Sequence, residues 1–189
     1  MKGVFQKDDF AYSVIDEAEI SQELDRSISH ALAECFPADK EVFSRCSWWH
    51  SRPSWRILAH TSKNELIGHV AIVERDVTAG PHRSVVRIAG IQSVFVRPAQ
   101  RGKGISDRLL MIAMEEAARR NLDSGILFCV PKLGKVYDRT GWRKTDSSSY
   151  MLSDRHETVP ISQKNITMIR PINNFDFPAG DIHLNGPDW

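Results

Sequence analysis

Over residues 10–61 the apolar positions change period. The segment 10–16 (FAYSVID) alternates as a strand does, and Ile20, Leu24, Ile28, Leu32 and Cys35 then recur at helical spacing until Pro37 closes the helix. A shorter helix is expected from Asp39 to Arg45. The aromatic and basic run SWWHSRPSWR turns at Pro53 into a strand over 55–61 (WRILAHT). Lys63-Asn64 makes a hairpin turn and 65–77 returns as its partner. Ala79-Gly80-Pro81 breaks that strand, and a long one follows over 84–96 (SVVRIAGIQSVFV), in which Gly90 predicts a bend or bulge.

From residue 105 the period is helical again. Ile105, Leu109, Ile112, Ala113 and Ala117 form one stripe, with Arg108, Glu115, Glu116, Arg119 and Arg120 on the solvated side, so an amphipathic helix is expected to end at Asn121. A buried-type strand follows at 125–130 (GILFCV), then a short helix from Pro131 to Thr140, ended by Gly141. Strands at 149–152 and 166–170 precede a Pro/Gly-rich tail. Hairpins come first and a strand–helix–strand unit second, which gives an α+β class: a central mixed, mostly antiparallel sheet flanked by helices.

Composition narrows the partners. The chain has 189 residues, 41% hydrophobic and 26% charged, which suits one soluble domain over 1–189 with 171–189 as a tail. A net charge of +1 speaks against a nucleic-acid partner. No run approaches the roughly 18 apolar residues of a membrane span and the start lacks an apolar signal core, so no membrane partner and a cytoplasmic location are expected. Cys35, Cys46 and Cys129 show no C-x-x-C spacing, and the seven histidines form no H-x-x-x-H pair, so no metal is expected. Cys129, on a buried-type strand, reads as an inert apolar residue.

The segment Ser93-Val94-Phe95-Val96-Arg97-Pro98-Ala99-Gln100-Arg101-Gly102-Lys103-Gly104-Ile105-Ser106 carries the most chemistry. A strand ends, a loop with two glycines follows, and a helix begins. Glycines let backbone approach a ligand, and the unpaired N–H groups of a helix start favour phosphate. Arg97, Arg101, Lys103 and Arg108 against Asp107 make this stretch basic within a neutral protein. Neither the dinucleotide fingerprint nor the Walker loop is present.

This pattern resembles the acyl-CoA-binding motif of the GNAT N-acyltransferase superfamily, R/Q-x-x-G-x-G/A, with Arg101, Gly104 and Ser106 at its positions; the order of elements fits from about residue 10 to 170. The resemblance implies acetyl-CoA as acyl donor. Backbone amides over Arg101, Gly102, Lys103, Gly104, Ile105 and Ser106 would hold the pyrophosphate, and Val94, Phe95 and Val96 would form the bulged strand that pairs with pantetheine and the acyl carbonyl. Downstream, Tyr137-Asp138-Arg139-Thr140-Gly141-Trp142 is similar to the family's Y-x-x-x-G-F/W, which makes Tyr137 the acid that protonates the departing thiolate. Val130 stands where the family often has asparagine.

Segments around Trp48-x-x-x-Arg52-Pro53-x-x-Arg56 and from Pro178 to Asp188 resemble the rhizobial nodulation N-acyltransferases, and the tail ending in Trp189 resembles that of the aminoglycoside 2′-N-acetyltransferases. From Pro171 to Trp189 there is no Lys or Arg, whereas Asp176, Asp181 and Asp188 concentrate negative charge that would attract a cationic amine. Phe175, Phe177, Ile182, Leu184 and Trp189 are apolar enough to dock this tail.

Trp48, Asp188 and Trp189 are therefore the candidate acceptor-binding residues. Trp48, Trp49 and Trp55 offer an aromatic wall or, for at least two of them, a core or lid role; Arg52 and Arg56 pair either with the tail or in a structural ion pair. The amide of Val94 or Val96 would donate to the oxyanion. Gln92 stands where some relatives carry a glutamate base, which leaves Asp188, the Trp189 carboxylate, His183 and Glu74 as candidates.

The expected reaction is acetyl transfer to a primary amine of a small cationic or amino-sugar molecule, in a monomer or homodimer. A longer acyl chain on a carrier protein and a non-catalytic acyl-CoA sensor are the alternatives.

Overall fold

The structure is a computed structural model and describes residues 4–7 and 10–189. In chain order its elements are β1 (Val4–Lys7), β2 (Phe10–Asp16), α1 (Gln22–Cys35), α2 (Lys40–Phe43), β3 (Trp55–Thr61), β4 (Leu66–Ala79), β5 (Ser84–Val96), α3 (Ile105–Arg119), β6 (Ser124–Cys129), α4 (Gly134–Asp138), β7 (Arg143–Lys144), β8 (Ser149–Leu152), β9 (Thr158–Pro160), β10 (Ile166–Pro171) and β11 (Ile182–His183). The expected α+β class, with mixed but mostly antiparallel strands and flanking helices, is found. Contacts divide the chain into two compact units. One holds residues up to Ile72 together with Gln92–Ala113, and the other holds Val73–Ile91 with Met114–Trp189.

In the first unit β1, β2, β3 and the start of β4 pair antiparallel. The β3–β4 turn forms where expected: Asn64 takes a positive φ of 64°, and the Thr61 hydroxyl accepts the N–H groups of Lys63 and Glu65. Ser21 caps α1 by accepting the Leu24 N–H at 3.2 Å. The apolar stripe of α1 (Ile28, Ala31, Leu32) is fully buried in a cluster with Ile15, Leu58, Leu66 and Phe95. Each large side chain so buried contributes about 2 kcal/mol. Gly68 of β4 lets α3 approach, since a Cβ there would stand 3.0 Å from Leu109 Cδ1 and 3.2 Å from Ile105 Cγ2.

α2 is shorter than the Asp39–Arg45 pattern predicts. Pro37–Asp39 is a 3₁₀ turn, and the Ser44 hydroxyl donates to the Glu41 carbonyl at 2.8 Å, competing with continuation of the helix.

In the second unit β5 runs parallel to β6 over Ile88–Ile91, and β10 pairs antiparallel with both β6 and β7. The tail is docked. β11 lies antiparallel to β4 and parallel to β8, and Ile182, Leu184 and Trp189 join the core with Val77, Val86, Ile88 and Ile126. On the β6 side of β5 the pairing of Gly90 with Ile126 is regular. Glycine is required there because a Cβ would sit 2.4 Å from Cε2 of Trp189. The irregularity comes three residues later, at Ser93, whose φ is +51°. Among the described residues no helix is long and apolar enough to cross a membrane.

Candidate functional site

The end of β5 and the loop to α3 lie in the first unit. Past the kink at Ser93, Phe95 is buried and the Arg97 N–H donates to the Ile67 carbonyl at 2.8 Å. Arg97 belongs to the scaffold: its Nε donates to the Leu66 carbonyl at 2.8 Å and its guanidinium pairs with Glu34. The basic cluster expected from the sequence is smaller by that one charge. A 3₁₀ turn over Pro98–Gln100 follows, and Arg101 folds back so that its Nε donates to the Val96 carbonyl at 3.1 Å. Lys103 Nζ donates to Gln100 Oε1 at 2.7 Å.

Gly102 and Gly104 have φ of +79° and +73°, and a Cβ on either would meet nothing within 4 Å. The backbone conformation, rather than crowding, requires glycine here, and the space over these peptides is open. The first-turn N–H groups of α3 have no intrahelical partners, and the helix dipole adds positive potential at that end. Beside them a pocket of about 290 Å³ is lined by Phe10, Tyr12, Lys103, Gly104, Asp107 and Arg108. A flexible polyanion would find amides, Arg101 and Lys103 within one exposed turn of chain.

Behind this loop the strand is pinned. Gln92, 4% exposed, accepts the Trp49 N–H at 2.7 Å and donates to the Ser51 carbonyl at 2.6 Å. It is a clamp on the 47–53 segment. Trp55 is fully buried, Trp49 packs on Phe43, and half-buried Trp48 lies beside Arg52 and Arg56, 5.7 and 5.8 Å from its ring centroid. Arg52 and Arg56 form structural ion pairs with Glu17, the Arg56 Nε at 2.7 Å and the Arg52 Nε at 3.2 Å.

Tyr137 lies in the second unit, on α4. The Thr140 hydroxyl donates to its carbonyl at 3.0 Å, Gly141 leaves the turn at φ +87°, and the ring meets Trp142 edge-on. Burial pushes the Tyr137 phenol up to about 12, and the negative charge of a Cys129 thiolate would add to the effect. The Cys129 thiol is itself pushed up to about 11, by burial first and then by Asp138; it lies buried beside the Met168 sulfur at 3.9 Å, as an inert core residue does.

Of the candidate bases, Glu74, His183 and Asp188 are engaged. Glu74 pairs with Arg120 at 3.3 Å, and Arg120 also holds Glu116, so this part of the α3 face is an ion-pair network rather than freely solvated. His183 stacks on Tyr150, and burial and then Arg83 lower its pKa. In the tail, the Arg75 guanidinium donates to the Pro187 carbonyl, interacts with the Asp188 charge, and lies 5.3 Å from the Trp189 ring centroid. The Trp189 indole is 5% exposed, against Gly90 and Phe128. Arg75, Gly90 and Gln92 have structural roles that only long-range contacts reveal. Among the described residues no three His, Cys, Asp or Glu side chains are grouped to hold a metal.

The chain is similar to known proteins in two ways. The sequence profile described as Acetyltransferase (GNAT) domain matches residues 18–145. Among solved structures, the GNAT family N-acetyltransferase YhbS from Escherichia coli, crystallised in complex with CoA, superposes with a TM-score of 0.60 at 16% identity, covering 96% of this chain and 94% of that one. An acyl-CoA N-acyltransferase from Pseudomonas aeruginosa gives 0.58 at 17% identity, over 85% of this chain and 99% of its own. ElaA from Escherichia coli gives 0.56 at 17% identity over the same shares. No curated protein matches the chain.

Proposed function

Since the chain belongs to the GNAT acetyltransferase family, we propose that it transfers an acetyl group from acetyl-CoA to the primary amine of a small cationic or amino-sugar acceptor. The observation that carries this reading is the loop Arg101–Ser106. Two left-handed glycines with open space above them lead into the first turn of α3, flanked by Arg101 and Lys103. A pyrophosphate needs that kind of backbone approach, and the residues present fit it.

The reaction follows from its charge changes. The amine nitrogen attacks the thioester carbonyl, the C–N bond forms, and negative charge gathers on oxygen, where the Val94 or Val96 N–H donates. The C–S bond then breaks, and Tyr137 gives its proton to the departing sulfur. Gln92 carries no basic group, and Glu74 and Asp188 face arginines; the acceptor reacts as the free amine, and its surplus proton passes to water or to one of the remaining candidates, His183 and the Trp189 carboxylate. Of the candidate acceptor residues, half-buried Trp48 in the first unit and Asp188 in the second stand in this proposal, each by itself, whereas the Trp189 indole, buried against Gly90 and Phe128, is a core residue and not an acceptor wall. Asp188 there draws a cation despite Arg75, through the summed charge of a tail that holds no Lys or Arg.

Thiol release from acetyl-CoA, measured across a panel of polyamines, aminoglycosides and glucosamine oligomers, tests the proposal. Saturable, amine-dependent release is expected. Binding of acetyl-CoA without release for any amine would favour an acyl-CoA sensor, and release only from long-chain or carrier-bound donors would assign another donor class.

A further inference from the structure

His69 sits on β4 with no exposed surface, and its Nδ1 lies 2.8 Å from the carbonyl oxygen of Ser93. A carbonyl only accepts, so Nδ1 carries the hydrogen and Nε2 is left as a bare acceptor. That Nε2 is buried without a hydrogen-bond partner. The ring stacks on Phe95 at 5.6 Å, which fixes its plane. Burial, and next the Arg56 charge, lower its pKa to about 3, so the ring stays neutral and the tautomer persists at ordinary pH.

A phenylalanine or leucine would fill such a core position without an orphaned acceptor. The other nitrogen explains the imidazole. It bonds the one residue of β5 whose φ is positive, Ser93 at +51°, a conformation uncommon for a side chain-bearing residue. In a planar trans peptide the C=O and the following N–H point in opposite directions. Holding the Ser93 oxygen toward His69 therefore aims the Val94 N–H the other way. Gln92, clamped by Trp49 and Ser51, fixes the strand just before the kink, and Arg97, bonded to Ile67, fixes it just after.

We infer that His69 is a positioning residue: through Ser93 it orients the Val94 amide that receives the carbonyl oxygen of the substrate during acyl transfer. The kinetic part of this inference rests on the proposed function; the structural part does not.

The test compares His69→Phe, His69→Asn and His69→Gln. Asparagine places an amide N–H where Nδ1 stands, and glutamine places it where Nε2 stands. In the wild type, ¹⁵N imidazole spectra should show protonated Nδ1 and bare Nε2. Backbone shifts of Ser93 and Val94 should move in the Phe and Gln variants and return toward wild type in the Asn variant. For acetyl transfer, kcat should fall about tenfold to a hundredfold in His69→Phe with KM for acetyl-CoA nearly unchanged, and His69→Asn should restore most of it. His69→Phe should melt no lower than His69→Asn, so activity and stability rank oppositely.

An Nε2–H tautomer, or Ser93 and Val94 shifts unchanged in His69→Phe, would overturn the positioning role of His69. Unchanged shifts would do so even if His69→Phe lost activity. If no amine is acetylated by the wild type, the proposed function fails, while the spectra still decide what His69 does to Ser93.

Discussion

Tyr137→Phe is expected to lower kcat for acetyl transfer about a hundredfold to a thousandfold while leaving acetyl-CoA affinity nearly unchanged. In the proposed mechanism the phenol acts only when sulfur leaves, and the variant keeps the ring that packs against Trp142. A phenol held at about 12 is protonated throughout the working range, as a proton donor must be. Against an ordinary thiol of about 8.5 the transfer would be uphill by about 3–4 units. Desolvation raises a thiol's pKa as it raises a phenol's, so exclusion of water around the departing sulfur would narrow that gap.

The pH profile follows. kcat/KM should rise with pH as the acceptor amine loses its proton, and no falling limb should appear below pH about 10. A falling limb near pH 8 would assign the acid to another group. Steady-state kinetics on the variant, with acetyl-CoA affinity measured separately, separates loss of turnover from loss of binding.

Arg56→Met should be strongly destabilising. Arg56 has no exposed surface; its guanidinium meets Glu17 through Nε at 2.7 Å and Nη2 at 3.0 Å, and donates to the Ser47 hydroxyl at 2.6 Å. Asp25 lies 3.3 Å from Nη2 and accepts from Ser47 as well. Removing the cation strands a Glu17 carboxylate that is 11% exposed, leaving it the solvated Arg52. Breaking a buried pair in this way costs about 3–5 kcal/mol, or about 10 °C in Tm for a chain of this size. Thermal unfolding of Arg56→Met beside Arg56→Met/Glu17→Leu checks the cause, because the double variant should recover much of the loss. Equal losses in both would show that packing of the arginine stem, and not the stranded charge, is responsible.

What could be read from the sequence was what is encoded locally. The strand–loop–helix unit over 93–119 is written in contiguous residues: an apolar run, two glycines, clustered cations, then a stripe at helical period. Edges marked by Pro37, Asn64 or Gly141 fell where expected. At Gly90 the sequence marks a special position but not the Trp189 ring that excludes a Cβ there, because that ring lies far along the chain. The kink at Ser93 has no local mark, since its support comes from His69 on another strand. Arg97 has the sequence signature of a ligand-side charge, and its actual partner, Glu34, lies far away in sequence on α1. Gln92 read as a missing base, and the structure shows an amide using both its donor and its acceptor. β11, two residues long, has no periodicity to detect; it exists because β4 and β8 each offer it an edge.

The most direct test of the donor assignment is a calorimetric titration of acetyl-CoA into the wild-type chain and into an Arg101→Ala/Gly104→Pro variant. Proline holds φ near −65°, so it cannot reproduce the +73° of Gly104, and both positions are exposed, so the fold should survive. Binding in the micromolar range by the wild type, lost in a variant that melts normally, is the predicted result. No binding by the wild type, or equal binding by the variant, would contradict the assignment of Arg101–Ser106 as the acetyl-CoA site.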